Sequence, residues 1–208
     1  MKRVLLLLAD GFEPLEAAGF TDVLGWANID GEEKIELVSA ALRSPIKATF
    51  GFSVIADKLL SDINLDEFDA LALPGGFEGA GFYNDAYSEE FLEAIRHFDR
   101  SGKPVASVCV ASLSLGKAGV LKNKRATVYH QLGGKRKAEL SGFGAQFVDN
   151  AIVKDGALIT SSGPGTGVEV AFELLTEITS AENTRHIRQL MRFPTPPQEW
   201  RTTPQVVA

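Results

Sequence analysis

A doubly wound α/β sandwich around a mostly parallel sheet is the fold class this chain predicts, and three observations predict it. Strand-like and helix-like segments alternate along the chain, as a succession of βαβ units requires. The first strand candidate, residues 4–9, is a continuous apolar run of the kind buried on both faces of a parallel sheet. Apolar runs stop abruptly at Asp10-Gly11, at Pro74-Gly75-Gly76 and at Cys109. Such stops mark the carboxyl ends of strands, beyond which doubly wound folds bind their ligands. With 208 residues, 45% of them hydrophobic, the chain can bury one large core, so a single domain is expected over residues 1–193.

Each element has a local reason. Pro14 is tolerated in the first turn of a helix, and an apolar stripe runs from there to about Ala27. Residues 35–40 read as the second strand, and residues 50–57 as a short extended ribbon rather than a crossover helix. Residues 68–73 form the next strand, stopped by Pro74-Gly75-Gly76. Ser88 caps a helix opened by Glu89, Glu90 and Glu93 and closed by Arg96, His97 and Arg100, the charge order that suits the helix dipole. Gly102 and Pro104 end it. Val105-Ala106-Ser107-Val108 is a strand leading into Cys109, and the small residues of 111–116 continue as helix. Residues 151–153 and 157–160 flank Lys154-Asp155-Gly156, which predicts a β-hairpin. Helices are expected over 166–179 and 182–192. Residues 194–208, with four prolines, read as an extended tail.

Composition excludes several classes of function. The net charge is −6, and no basic run exceeds Lys135-Arg136-Lys137, read here as a solvated loop, so no nucleic-acid partner is expected. A single cysteine rules out an intrachain disulfide and fits a reducing compartment. The apolar run after Lys2-Arg3 is too short for an export signal or a membrane span. A cytoplasmic protein with no membrane association is the expectation.

Three side chains carry candidate chemistry. Cys109 stands between a strand and a helix start, where backbone N–H groups favour a thiolate nucleophile; a small buried hydrophobe is the plainer alternative. Glu16 shares a helical stripe with Phe20, Val23 and Ala27, so its carboxyl is expected to be buried, with a raised pKa and a proton to offer a neighbouring thiolate; a first-turn acid favoured by the helix dipole is the alternative. His130 follows a short strand candidate and is the histidine best placed as acid or base, although a surface loop position accounts for it equally well. No His or Cys pair has metal-ligand spacing. Phosphate-loop patterns are absent, and Asp10, Glu13 and Glu16 would repel a flavin phosphate after the first strand. Gly163-Pro164-Gly165-Thr166 is the better anion-binding turn, against the alternative of a tight turn with Thr166 as helix N-cap.

Asp10-Gly11-Phe12-Glu13-Pro14-Leu15-Glu16, Leu73-Pro74-Gly75-Gly76, Ser107-Val108-Cys109-Val110-Ala111 and Ser162-Gly163-Pro164-Gly165-Thr166, in this order, resemble the ThiJ/PfpI superfamily over residues 2–179. Val110 after the cysteine, where a protease-like branch has histidine, points to the DJ-one-like branch of the parkinsonism-associated deglycase. The resemblance implies a flavodoxin-like sandwich, commonly a homodimer, with no cofactor and no metal. It implies Cys109 as nucleophile, Glu16 as its protonated partner and His130 as an assisting group. Backbone N–H groups of Gly76 and Val110 would form an oxyanion site, with Gly75, Gly163, Gly165 and Thr166 around the substrate.

Relatives of this kind convert methylglyoxal or glyoxal to the hydroxy acid and reverse early glycation. Others sense oxidative stress or act as chaperones through oxidation of the cysteine. Isonitrile hydration and a role in thiazole-phosphate biosynthesis are the lesser implications. Two departures stand out: Phe50 and Ser162 occupy positions where close relatives often carry arginine.

Overall fold

The computed structural model describes residues 1–194, so the expected tail lies, apart from Pro194, outside the described residues. In chain order the elements are β1 (Lys2–Leu8), α1 (Pro14–Asp30), β2 (Ile35–Ala41), β3 (Ile46–Lys47), β4 (Ser53–Val54), β5 (Lys58–Leu59) and β6 (Ala70–Leu73). There follow α2 (Phe82–Ala86), α3 (Glu89–Arg100), β7 (Val105–Ser107), α4 (Ala111–Ala118), β8 (Arg125–Ala126), α5 (Arg136–Gly142) and β9 (Gln146–Phe147). The chain closes with β10 (Ile152–Asp155), β11 (Leu158–Ser161), α6 (Gly167–Ile178) and α7 (Ala181–Leu190).

Seven strands form the central sheet in the order β10-β11-β7-β6-β1-β2-β5. All pairings are parallel except β10 with β11, the predicted hairpin, whose chain reverses through Gly156 and Ala157 between the paired Asp155 and Leu158. Val4 of β1 lies opposite Leu37 of β2 on one side and Ala70 of β6 on the other. Winding therefore reverses between β1 and β6, which opens a crevice at their carboxyl ends. Beyond those ends lie the loops after β1 and β6 and the turn after β7. Helices α1, α6 and α7 pack together as one layer, and α3 and α4 as the other. Among the described residues no helix is long and apolar enough to cross a membrane.

Two local expectations need correction. The ribbon expected over residues 50–57 starts earlier: β3 pairs antiparallel with β4, and Phe50 and Gly51 lie in the connection, Gly51 with φ +101°. The run Lys135-Arg136-Lys137 is not a solvated loop, because Arg136 and Lys137 open α5. Lys137 covers the Phe147 ring at 4.7 Å, and the Arg136 side chain is turned inward. A helix of so few turns shows no apolar period, so the charges hid it.

Close approach of α1 and α6 sets the position of the first turn of α1. A Cβ at Gly19 would stand 2.7 Å from the carbonyl carbon of Gly167, and one at Gly167 would stand 3.4 Å from the Glu16 Cα. Further along, Arg188 of α7 is buried against the Phe172 ring at 4.2 Å and paired with Glu169, tying α7 to α6.

These contacts separate two glycines of the same helix. Gly19→Ala is expected to destabilise the fold by about 1–3 kcal/mol through backbone overpacking. Gly25→Ala, whose new methyl meets no atom within 4 Å, should stabilise it by roughly 0.5–1 kcal/mol through helix propensity. Urea denaturation of both variants checks the contrast, and equal effects would contradict the packing account.

Candidate active site

β7 ends at Ser107, and the chain must turn into α4 within a few residues. Cys109 makes that turn in the left-handed region, at φ +60°, while the Ala111 N–H donates to the Val108 carbonyl at 3.0 Å. A side chain at such a backbone angle costs about 1–2 kcal/mol, so the surrounding packing must hold it there. The thiol is 5% exposed. Burial pushes its pKa well above the ordinary value, negative charge on Glu16 adds to this, and the Val110 N–H on the sulfur opposes it. Desolvation therefore outweighs the backbone field that the start of α4 supplies.

Glu16 lies in the first turn of α1 with no exposed surface, on the face it shares with Phe20, Val23 and Ala27. Its Oε2 accepts the Gly75 N–H at 2.5 Å. Its Oε1 is buried without a hydrogen bond of ordinary geometry among the described residues. The side chains acting on the carboxyl are Glu13 and Cys109. Burial, then the Glu13 charge, push Glu16 up to about 8, with the Gly75 N–H pulling the other way. At neutral pH the carboxyl therefore keeps its proton.

Gly75 makes this convergence of three elements possible. A Cβ there would lie 2.8 Å from the Val108 oxygen, 2.9 Å from Glu16 Oε2 and 3.1 Å from the Val110 nitrogen. Its N–H is spent on Glu16, so Gly75 shapes the site rather than offering a donor to a substrate. The Gly76 N–H, by contrast, has no acceptor among the described residues.

Glu13 was passed over in the sequence except as a repulsive charge, although its spacing of three residues from Glu16 was the signal for contact. It is buried, its carboxyl hydrogen-bonds with that of Glu16, and burial raises its pKa. The Glu13 N–H donates to the Gly75 carbonyl at 2.8 Å. Asp10 has a different task, accepting the Lys47 N–H at 2.5 Å and pairing with Arg43 at 3.3 Å.

His130 is not brought to the thiol. Its Nδ1 meets the Val128 carbonyl at 2.9 Å, its Nε2 lies 3.5 Å from Asp149, and its ring stands edge-on to Phe147. It lines a separate cleft of about 220 Å³ with Gln131, Lys137 and Asp149. The residue adjoining Cys109 is its predecessor, Tyr129, whose N–H donates to the Cys109 carbonyl at 3.4 Å. A displacement of one position along the chain separates the two roles.

The Gly163-Pro164-Gly165-Thr166 turn is also corrected. It is a 3-10 turn in which the Thr166 N–H and hydroxyl both donate to the Gly163 carbonyl, at 3.0 and 2.7 Å. Both Thr166 donors are thereby spent within the turn, and the Thr166 side chain makes no cap bond. Phe50 is exposed and stands edge-to-face with Phe77 at 5.6 Å, and Ser162 is buried, so neither position supplies a cation. Two groups with no sequence signal act on Cys109 electrostatically instead: Tyr83 of α2 and Arg136 of α5. No cluster of three His, Cys, Asp or Glu side chains that could hold a metal occurs among the described residues.

The raised Glu16 pKa has a stability consequence. Between its ordinary 4.5 and about 8, the folded state holds a proton that the unfolded chain releases, so stability falls as pH rises through that window. The slope approaches about 1.4 kcal/mol per pH unit. Glu16→Gln should flatten it, measured by urea unfolding from pH 5 to 8, and an unchanged slope would refute the assignment. Ionisation of Glu16 near pH 8 places a negative charge beside the thiol and holds it protonated, so alkylation of Cys109 should set in at lower pH in Glu16→Gln than in the wild type; superposable profiles would mean the two groups do not act on each other.

Comparison with known proteins follows the same lines. The DJ-1/PfpI family model matches residues 2–177. Protein DJ-1 homolog A of Arabidopsis thaliana is 32% identical over 97% of this chain, and the chain spans about half the length of that plant relative, 50%. A deglycase of Pyrococcus abyssi is 34% identical over 78% of this chain and 91% of its own length. Among solved structures, Drosophila melanogaster DJ-1beta superposes with a TM-score of 0.79 at 30% identity, covering 91% of this chain and 97% of that one. With the family model spanning most of its length and this fold beneath it, the chain belongs to the DJ-1/PfpI family.

Proposed function

We propose that this chain is a cysteine-dependent, cofactor-free enzyme of the glyoxalase or deglycase type, acting on small reactive dicarbonyls such as methylglyoxal and glyoxal or on early glycation adducts. One juxtaposition carries the reading: a thiol in a left-handed turn, with the Val110 N–H on its sulfur and the protonated Glu16 carboxyl beside it. The deglycase name of the archaeal relative supports the same class of activity.

The chemistry begins when the Glu16–Cys109 pair has lost one proton and the remaining one resides on Glu16. The thiolate adds to the aldehyde carbon, and the carbonyl electron pair moves to oxygen, near the N–H groups of Gly76 and Val110. Glu16 protonates that oxygen and becomes a carboxylate. It then removes the proton on the sulfur-bearing carbon and returns it to the neighbouring carbon, while the adduct's hydroxyl proton passes to the oxygen of that neighbouring carbon, which converts the adduct to a 2-hydroxy thioester. Water cleaves the carbon–sulfur bond, releasing the 2-hydroxy acid and restoring the thiol. With His130 turned to Asp149, these proton steps fall to Glu16, backed by the Glu13 carboxyl that shares its hydrogen bond.

The stress-sensor alternative uses the same sulfur. Peroxide, however, attacks accessible thiolates of low pKa, whereas Cys109 is buried and its pKa is raised. Exposed Phe50, Phe52 and Ile55 on the β3–β4 ribbon, with Leu15 at the start of α1, support a homodimer as the working assembly.

Wild type, Cys109→Ser and Glu16→Gln should be assayed for loss of methylglyoxal and formation of lactate. The serine variant should lose at least about a thousandfold in rate, as for removal of a nucleophile, and the glutamine variant about a hundredfold or more. Lactate formation independent of Cys109 would overturn the reading.

A further inference from the structure

Two polar side chains within electrostatic reach of the thiol take no part in this chemistry. Tyr83 lies on α2, just beyond the Gly76 loop, and Arg136 is the first residue of α5, just beyond the Tyr129 segment. Tyr83 Oη and Arg136 Nε are both shielded from solvent; the guanidinium reaches the phenol oxygen, and neither atom makes a hydrogen bond of ordinary geometry to any other group among the described residues, which leaves the phenol proton without an acceptor. The phenol ring is held by Phe82 at 5.4 Å and Tyr87 at 4.7 Å. The Arg136 guanidinium has only a loose carboxylate neighbour, Glu78, 3.9 Å from Nη2, and Glu78 is itself taken at 3.0 Å by Lys135.

Both groups are donors here. Burial pushes the Tyr83 phenol up to about 12, which keeps it protonated, and the guanidinium is permanently charged. A shielded donor without an acceptor is a costly arrangement, relieved when a ligand brings an oxygen. A guanidinium edge and a hydroxyl side by side suit the two oxygens of a carboxylate. The carboxylates of Glu78, Glu139, Glu13 and Glu16 around the site disfavour a doubly charged phosphate.

We propose that Tyr83 and Arg136 form an anion subsite beside Cys109 that receives a carboxylate carried by the substrate, so that the substrate class is an α-oxoaldehyde bearing an acidic group. This rests on the dicarbonyl reading above and specifies it. Such a compound needs no external oxidant: 4,5-dioxopentanoate and water give 2-hydroxyglutarate, the aldehyde carbon being oxidised while the adjacent ketone is reduced.

The test compares kcat/KM for 4,5-dioxopentanoate and methylglyoxal in wild type, Arg136→Met, Arg136→Lys and Tyr83→Phe, with thermal unfolding to verify that each variant folds. Wild type should prefer the carboxylated aldehyde. Arg136→Met should lose at least about tenfold more on that substrate than on methylglyoxal, mostly in KM, with partial recovery in Arg136→Lys and a smaller loss in Tyr83→Phe. In parallel, glutarate should slow alkylation of Cys109 by iodoacetamide in wild type and not in Arg136→Met. Turnover of methylglyoxal without preference for the carboxylated aldehyde, and without protection by glutarate, would overturn the subsite and leave the proposed activity standing. Absence of Cys109-dependent turnover with Arg136-dependent protection would do the reverse. Equal losses on both substrates in Arg136→Met would assign Arg136 to the thiol rather than to the substrate.

Discussion

Burial of one carboxyl, that of Glu16, is the constraint around which the carboxyl end of the sheet is organised. A carboxylate without solvent access is too costly to keep charged, so the fold keeps a proton on it and spends the Gly75 N–H on one of its oxygens. That arrangement demands that α1, the loop after β6 and the turn after β7 come within contact of one another. Each approach is bounded by a missing Cβ: at Gly75 against Val108 and Val110, and at Gly19 and Gly167 between the helices. The acid and the glycines are one device.

The thiol inherits its character from this device. Its left-handed turn sets the Val110 N–H against the sulfur, but the same packing strips away water and raises its pKa. A buried thiol next to a buried carboxyl titrates as a pair, and the useful state is the one with a single proton between them. Glu13 extends the system, since two carboxyls three residues apart on the first turn of a helix share a hydrogen bond when neither can reach water. The site therefore holds a reserve of protons on its acidic side and, with Arg136 and Tyr83, donors on the other.

Much of the sheet was legible because parallel strands buried on both faces must be continuous apolar runs, as residues 4–9 and 70–73 are. The helix after Ser88 was legible from its cap and charge order, and the cap bond from the Phe91 N–H to Ser88 is present. Two-residue strands and the short helices α2 and α5 carry too few residues for any period to emerge. Hence Arg136, in a run of three basic residues, looked like a solvated charge while its side chain turned inward. His130 and Tyr129 illustrate the finer limit. Neighbours in sequence receive opposite surroundings, and only the packing of β9 and Asp149 reveals which one turns from the thiol.

By itself the sequence determined the class of fold, the meeting of strand ends at three loops, and the candidacy of Cys109 and Glu16. These follow from local periodicity and from turn chemistry, which need no distant partner. Tertiary structure alone decided the direction of the thiol's pKa, the coupling of Glu13 to Glu16, the use of both Thr166 donors on the Gly163 carbonyl and the convergence of Tyr83 with Arg136. Those properties depend on solvent exclusion and on distances between groups far apart in the chain, and neither is defined until the sheet and its two helical layers have closed.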